Sequence, residues 1–233
     1  LGGLLVALGA AAAFAAPAAL WLVAAGALLC VRGRFGTARS SPTTMRADIA
    51  EGLRFLWRHR LLRSFAVMVG VSNFGSNAAF TVMVLFAVGP ASPMGLSEPG
   101  YGVLMTAVAA GSLVGALFAS RVEGLLGRAW ALRASVLTFG VLVGLPALTA
   151  DPYMIAGGFF LGGVGIAVWN VITVSLRQRI TPDSMLGRVN SGYRLLAWGT
   201  MPLGAVAGGL LAELFGLTAV FASMGLLSLS LLA

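Results

Sequence analysis

The sequence predicts an all-α membrane protein: a helical bundle of about seven full transmembrane helices plus the end of another. Composition points there first. The chain is 59% hydrophobic with only 9% charged residues, and its mean hydropathy is +0.96, whereas a soluble domain carries about 25% charged residues. Run length points there next. Uncharged apolar segments cover residues 10–31, 64–88, 101–120, 134–150, 153–176, 195–212 and 217–233, and residues 1–8 read as the tail of a further one. A helix needs about 17–25 such residues to cross a bilayer. None of the runs alternates polar with apolar residues, so a β-barrel is excluded. Charge placement supplies the third observation. All 15 basic residues are arginine: eight lie in 32–63, three in 121–133 and four in 177–194. The intervening loops hold only acids, Glu98, Asp151 and Glu213. Arginine confined to alternate loops places those loops in the cytoplasm. The net charge of +8 is therefore a topology signal. Its arginines face water and anionic headgroups, and no nucleic-acid partner is expected because no basic face stands clear of the membrane-flanking loops. The expected location is the plasma membrane, multi-pass, with the lipid bilayer as a partner.

Taken in order, residues 1–31 read as the end of one group of helices. Gly2–Ala16 aligns with Gly208–Ser223 with one inserted residue, each block pairing two glycines with a tight connection into the next run. A repeat at that distance suggests two similar halves of about six helices each; the alternative is chance likeness of Ala/Leu/Gly-rich text. Cys30 is the sole cysteine, so no disulfide or paired-cysteine metal site forms within the chain. Residues 32–63 read as a cytoplasmic linker. Its first part is rich in Gly, Ser, Thr and Pro. Its second places Ile49, Leu53, Leu56 and Trp57 on one helical face, with Arg46, Arg54 and Arg58 largely away from it, which predicts an amphipathic helix lying in the headgroup plane. His59, among arginines, reads as a solvated loop residue or, alternatively, a pH sensor.

Residues 64–233 read as a second half, truncated at its C-terminal end. Its first span carries Asn73, Asn77 and Thr81 at i, i+4 and i+8, with Ser76 alongside. Amides facing lipid are costly, so this face is expected to line a substrate cavity, or else to bond neighbouring helices. Trp169, Asn170 and Thr173 form the comparable group three spans later. Gly111, Gly115 and Ala119 stack small residues on one stripe, where a second backbone packs closely. The pairs and triplet at Gly157, Gly158, Gly162, Gly163 and Gly165 read the same way. Pro202, between Gly199 and Gly204 and followed by Gly208, is expected to allow a hinge. Two arginine loops share a pattern: Glu123 before Gly127-Arg128, and Asp183 before Gly187-Arg188. In the second, Thr181-Pro182-Asp183 reads as a helix start, with Thr181 as cap. Together with Arg194, these acids and arginines are candidates for a cytoplasmic gate; ordinary caps and topogenic charges are the competing reading.

Two stretches carry a family resemblance: EGLRFLWRHRLLR at residues 51–63, and LRQRITPDSMLGRVNSGYRLLAWGTMPLGAVAGGLL at residues 176–211. With the repeat and the long basic central loop, they resemble the major facilitator superfamily, in particular the bacterial drug-exporter branch with macrolide efflux proteins and the enterobactin exporter. The resemblance implies that the runs are the end of helix five and helices six through twelve. It also implies an alternating-access antiporter whose cavity lies between two six-helix halves. In the family's cytoplasmic signature the acid is usually Asp and sits one residue nearer the glycine than here.

The chain begins at Leu1 inside one apolar run and stops at Ala233 inside another, so it reads as a piece of a longer protein. Its missing N-terminal half is then an expected partner, beside a small-molecule substrate. No acid lies in the middle of any span. An intramembrane carboxylate for proton coupling would therefore sit in the absent half, or coupling is different. One His, one Cys and no buried acid pair leave no catalytic triad or metal centre; neither enzymatic activity nor a cofactor is expected. The sequence supports a secondary transporter exporting amphipathic small molecules of drug or siderophore type. The alternative is a non-transporting membrane sensor or scaffold on the same bundle.

Overall fold

The computed structural model describes residues 10–31 and 44–232. The predicted apolar tail at 1–8 and the linker stretch 32–43 lie outside the described residues, and so does the first copy of the repeated block up to residue 9. Among the described residues the chain is helical, with a lone parallel bridge between Val88 and Leu96. Each of the seven apolar runs is a helix: α1 (Ala10–Cys30), α3 (Arg60–Ala87), α4 (Glu98–Leu126), α5 (Arg128–Gly144), α6 (Pro152–Ile180), α7 (Leu186–Phe215) and α8 (Leu217–Leu229). The predicted linker helix is α2 (Met45–Arg58). Five helices are long and apolar enough to cross a membrane, and α1 and α8 contribute shorter apolar segments. This is an all-α, multi-pass membrane bundle.

Local chemistry sets the helix ends. Ser97 starts α4 by accepting from the Gly100 N–H at 3.3 Å. Asp151 starts α6 by accepting from Tyr153 N at 2.9 Å and Met154 N at 2.8 Å. Both satisfy amides that have no partner within the helix. At Gly127 and Gly216 the chain reverses between consecutive helices with φ of 73° and 85°, a region open to glycine and strained for other residues. The helices outrun the apolar segments mainly at their arginine-bearing ends: α6 continues through Arg177 and Arg179, and α7 starts nine residues before Leu195. Arginine marks the membrane edge, and it is also a good helix former, so the helix does not stop there.

Three expectations are corrected. Thr181 does not start a helix. It ends α6, with φ −90° and ψ 125°, because a residue before proline is driven out of the α region. Its hydroxyl is buried without a partner, and the short turn Asp183–Met185 that follows has no side-chain cap. The amphipathic helix α2 does not turn its whole apolar face to the headgroups either. Leu56 is fully buried and Gly52 is buried, and α2 packs on the start of α7; of the predicted face, Trp57 alone is exposed. His59 joins α2 to α3 as a half-buried residue whose Nδ1 is enclosed, so it is not a solvated loop residue.

The bundle is built from two closely packed pairs, α4 with α6 and α3 with α7. In the first pair, a Cβ at Gly111 would strike the Phe160 carbonyl, one at Gly115 the Val164 backbone, and one at Gly163 the Val108 carbonyl. In the second, a Cβ at Gly204 would strike the Phe74 carbonyl and one at Gly208 the Ala78 carbonyl. Helix α5 lies against α6 and α8 and ties the pairs together. A core of Met83, Phe86, Leu142, Phe159 and Phe221 fills one end of the bundle, and a second, of Leu56, Leu62, Phe65 and Val189, the end where α2 packs. Helices α6 and α7 are consecutive in sequence but belong to different pairs, and they barely approach each other.

Candidate functional site

The gap between the two pairs is lined by side chains that the spans would otherwise not tolerate. A cleft of about 110 Å³ lies among α3, α5 and α6, lined by Ser72, Asn73, Ser135, Phe139, Trp169 and Asn170 among others. A larger one, about 390 Å³, opens toward the cytoplasmic end among α3, α6 and α7. Asn73 and Asn170 line both, so the two clefts share one polar rim.

Asn73 is held in place across the second helix pair. Its Nδ2 donates to the Ala197 carbonyl at 2.6 Å, while the Thr200 hydroxyl donates to the Gly70 carbonyl at 2.9 Å. These reciprocal bonds cross-link α3 and α7 just before Pro202, through which α7 runs without a break. The rest of the predicted stripe bonds to its own helix: Ser76 and Asn77 donate to the Asn73 carbonyl, and Thr81 to the Asn77 carbonyl. Asn77 and Thr81 lie beyond the two clefts on the α3 face. On α6, Trp169 lines the smaller cleft and is braced edge-on by Phe65, with ring centroids 5.7 Å apart. Thr173 lines the larger one, and its hydroxyl donates to the Trp169 carbonyl.

Six arginines among the described residues have partners of two kinds. Two are neutralised by acids. Arg128 Nε meets Glu123 Oε1 at 2.7 Å, closing the turn between α4 and α5. Arg188 reaches back to α2, with Nε 2.9 Å from Asp48 Oδ1 and Nη1 2.9 Å from Glu51 Oε2. Arg188 thus clamps the linker helix to α7, where Gly52 lies directly against the Arg188 carbonyl. Asp183 makes no ion pair among the described residues. The other kind stacks on aromatic rings: Arg177 lies over Tyr193 at 4.0 Å and Arg194 over Trp198 at 4.1 Å, all four lining the larger cleft. Arg121 and Arg133 also stack, on Phe118 and Trp130, but away from both clefts.

Of the small residues singled out in the sequence, Gly111, Gly115, Gly204 and Gly208 sit at helix contacts. Gly199 has open space around it. Sequence reasoning missed Asp48 and Glu51, which come from another element. It also missed the stacked pairs Arg177–Tyr193 and Arg194–Trp198. The 16-residue spacing of the first gives no signal until the end of α6 and the start of α7 are placed in space.

Comparison with known proteins adds the following. The family model described as the Major Facilitator Superfamily matches residues 74–233. The chain is 29% identical over 187 residues to the multidrug efflux pump Tap of Mycolicibacterium fortuitum, covering 77% of this chain and 43% of that protein. It is 30% identical over 194 residues to the proteins of the same name in Mycobacterium bovis BCG and Mycobacterium tuberculosis H37Rv, covering 80% of this chain and 44% of each. The chain thus spans less than half the length of these relatives. No solved structure matches it.

Proposed function

We propose a function from one premise: this chain belongs to the Major Facilitator Superfamily. It forms the latter part of an exporter of amphipathic small molecules that works by alternating access, with the clefts between the two helix pairs serving as its share of the substrate cavity. One observation carries this reading. The polar and aromatic groups of the spans converge on a gap between rigid helix pairs, with Asn73, Trp169 and Asn170 on its walls, and ligand sites are mostly apolar clefts with a few placed polar groups. The Arg188 clamp on α2 and the Glu123–Arg128 pair are proposed as cytoplasmic contacts that hold one state of the cycle. An amphipathic substrate of drug type fits the efflux named for the relatives.

The test is flux. Full-length protein in proteoliposomes should move ethidium against its gradient when a proton gradient is imposed, and Asn170→Leu should change the ratio of ethidium to tetracycline flux. A folded, correctly inserted protein that moves neither compound, with or without the gradient, would support a non-transporting role instead.

A further inference from the structure

We propose that the larger cleft is an anion site, and that it takes the carboxylate, sulfonate or phosphate of an amphipathic molecule. The proposal deepens the reading of this gap as part of a substrate cavity, and rests on it. Two guanidinium groups, Arg177 from α6 and Arg194 from α7, line one concavity of about 390 Å³, whose remaining polar lining is amide, hydroxyl and indole; no carboxylate of the described residues lines it. The described residues supply acids to Arg128 and Arg188 within 2.9 Å but none to this pair.

Geometry adds to charge. Each guanidinium lies about 4 Å over an aromatic ring of α7. A ring contact uses the face of a guanidinium and does not consume its five N–H donors, the groups that bind carboxylate or phosphate with two parallel bonds. Asn170 and Asn190 add amide donors to the same lining, and Val69, Val174 and Met201 give an apolar tail a surface. Stacked arginine alone is not the signal, since Arg121 and Arg133 stack on the same side of the membrane. What sets the pair apart is convergence on one cleft without a carboxylate. A cation entering the larger cleft would meet two like charges, so this one cleft prefers anionic groups, while the smaller cleft, which no arginine lines, is left to cationic ones.

The experiment measures binding apart from transport. Full-length protein in phosphatidylcholine nanodiscs is titrated with carboxyfluorescein, an anion, and with rhodamine 123, a cation on the same ring system, by fluorescence anisotropy. The parent should bind carboxyfluorescein. Arg177→Gln and Arg194→Gln should each weaken it about tenfold, as expected for loss of a hydrogen bond to a charged group, while rhodamine 123 is unchanged or tighter. Arg177→Lys, which keeps the charge and the topology signal but loses the planar edge, should fall between. Arg121→Gln and Arg133→Gln should change nothing. Absence of carboxyfluorescein binding, equal loss in the control variants, or unchanged binding in both cleft variants overturns the proposal. Phosphatidylglycerol nanodiscs separate the sources of the anion. Weaker carboxyfluorescein binding there in the parent, absent in the double variant, assigns the site to a lipid headgroup; unchanged binding assigns it to a free amphiphile. If binding behaves as expected while proteoliposomes show no flux, the anion site stands and the transport reading fails.

Discussion

The helix pairs and the gap between them follow opposite rules. Where α4 meets α6 and α3 meets α7, side chains have been reduced to hydrogen and backbones touch: Gly111, Gly115 and Gly163 in one pair, Gly204 and Gly208 in the other. Within a bilayer there is no hydrophobic force between helices, so such close contact is what holds them. In the gap the side chains are large and polar, Asn73, Trp169, Asn170 and Arg177, and the helices stand apart. Close pairs and an open gap are the arrangement that the proposed substrate cavity requires.

The comparison breaks most sharply at the pairs. Gly111→Leu, Gly163→Leu, Gly204→Leu and Gly208→Leu each drive a side chain into a backbone carbonyl, which cannot rotate away. Overpacking costs about 1–3 kcal/mol even where side chains can adjust; here the expected outcome is loss of most folded protein, read as the monodisperse peak in fluorescence-detected size-exclusion chromatography. Gly157→Leu, on α6 but with nothing within 4 Å, should leave that peak intact. If both kinds of variant lose the peak equally, helix propensity and not contact is the cause.

Variants in the gap should act on transport and spare the fold. Asn170→Leu, on an exposed residue, is expected to leave folded yield within twofold of the parent and to alter substrate preference. Asn73→Leu should alter preference and also lower stability, because it removes the bond to the Ala197 carbonyl; such interhelical bonds average about 0.6 kcal/mol. Asn77→Leu loses only a bond within its own helix and should be nearly silent in stability. Equal thermal destabilisation by Asn73→Leu and Asn77→Leu would show that the α3–α7 cross-link contributes nothing.

Most of the fold was legible because membranes impose simple rules. Uncharged length gave the spans, and the Gly111/Gly115/Ala119 stripe gave a contact face that Phe160 and Val164 complete. The site was legible only in part. Asn73 and Asn170 could be found because an amide in a span needs a reason. The Arg188 partners could not: Glu51 lies 137 residues away, and nothing local to Arg188 distinguishes it from Arg194. Thr181 was misread because threonine before proline suits a cap and a helix end equally, and only the continuation of α6 past Leu176 decides between them.

The cytoplasmic arginines sharpen the comparison on a smaller scale. Arg188 ties two elements distant in sequence, so it should contribute to how α2 sits on α7. Arg188→Ala is expected to expose α2, seen as faster hydrogen exchange across residues 48–56 with little change in α4 or α6. Uniform exchange across the chain would mean that Leu56 and Gly52 hold α2 without the clamp.

The smallest effect is expected at Glu123 and Arg128. This pair closes a turn whose reversal is already fixed by Gly127 at φ 73°. Its arginine side chain is 51% exposed and its carboxylate 30%, so water screens it, and exposed pairs of this kind contribute about 0–1 kcal/mol. A double-mutant cycle of Glu123→Gln and Arg128→Gln, read by thermal unfolding in detergent, should give a coupling near zero and smaller still in high salt. The cycle of Glu51→Gln and Arg188→Gln should give a larger one, because Arg188 is the less exposed arginine and meets two carboxylates. If the order is reversed, the short turn is under more tension than its glycine implies, and the α4–α5 end is the better candidate for a contact that state changes must break.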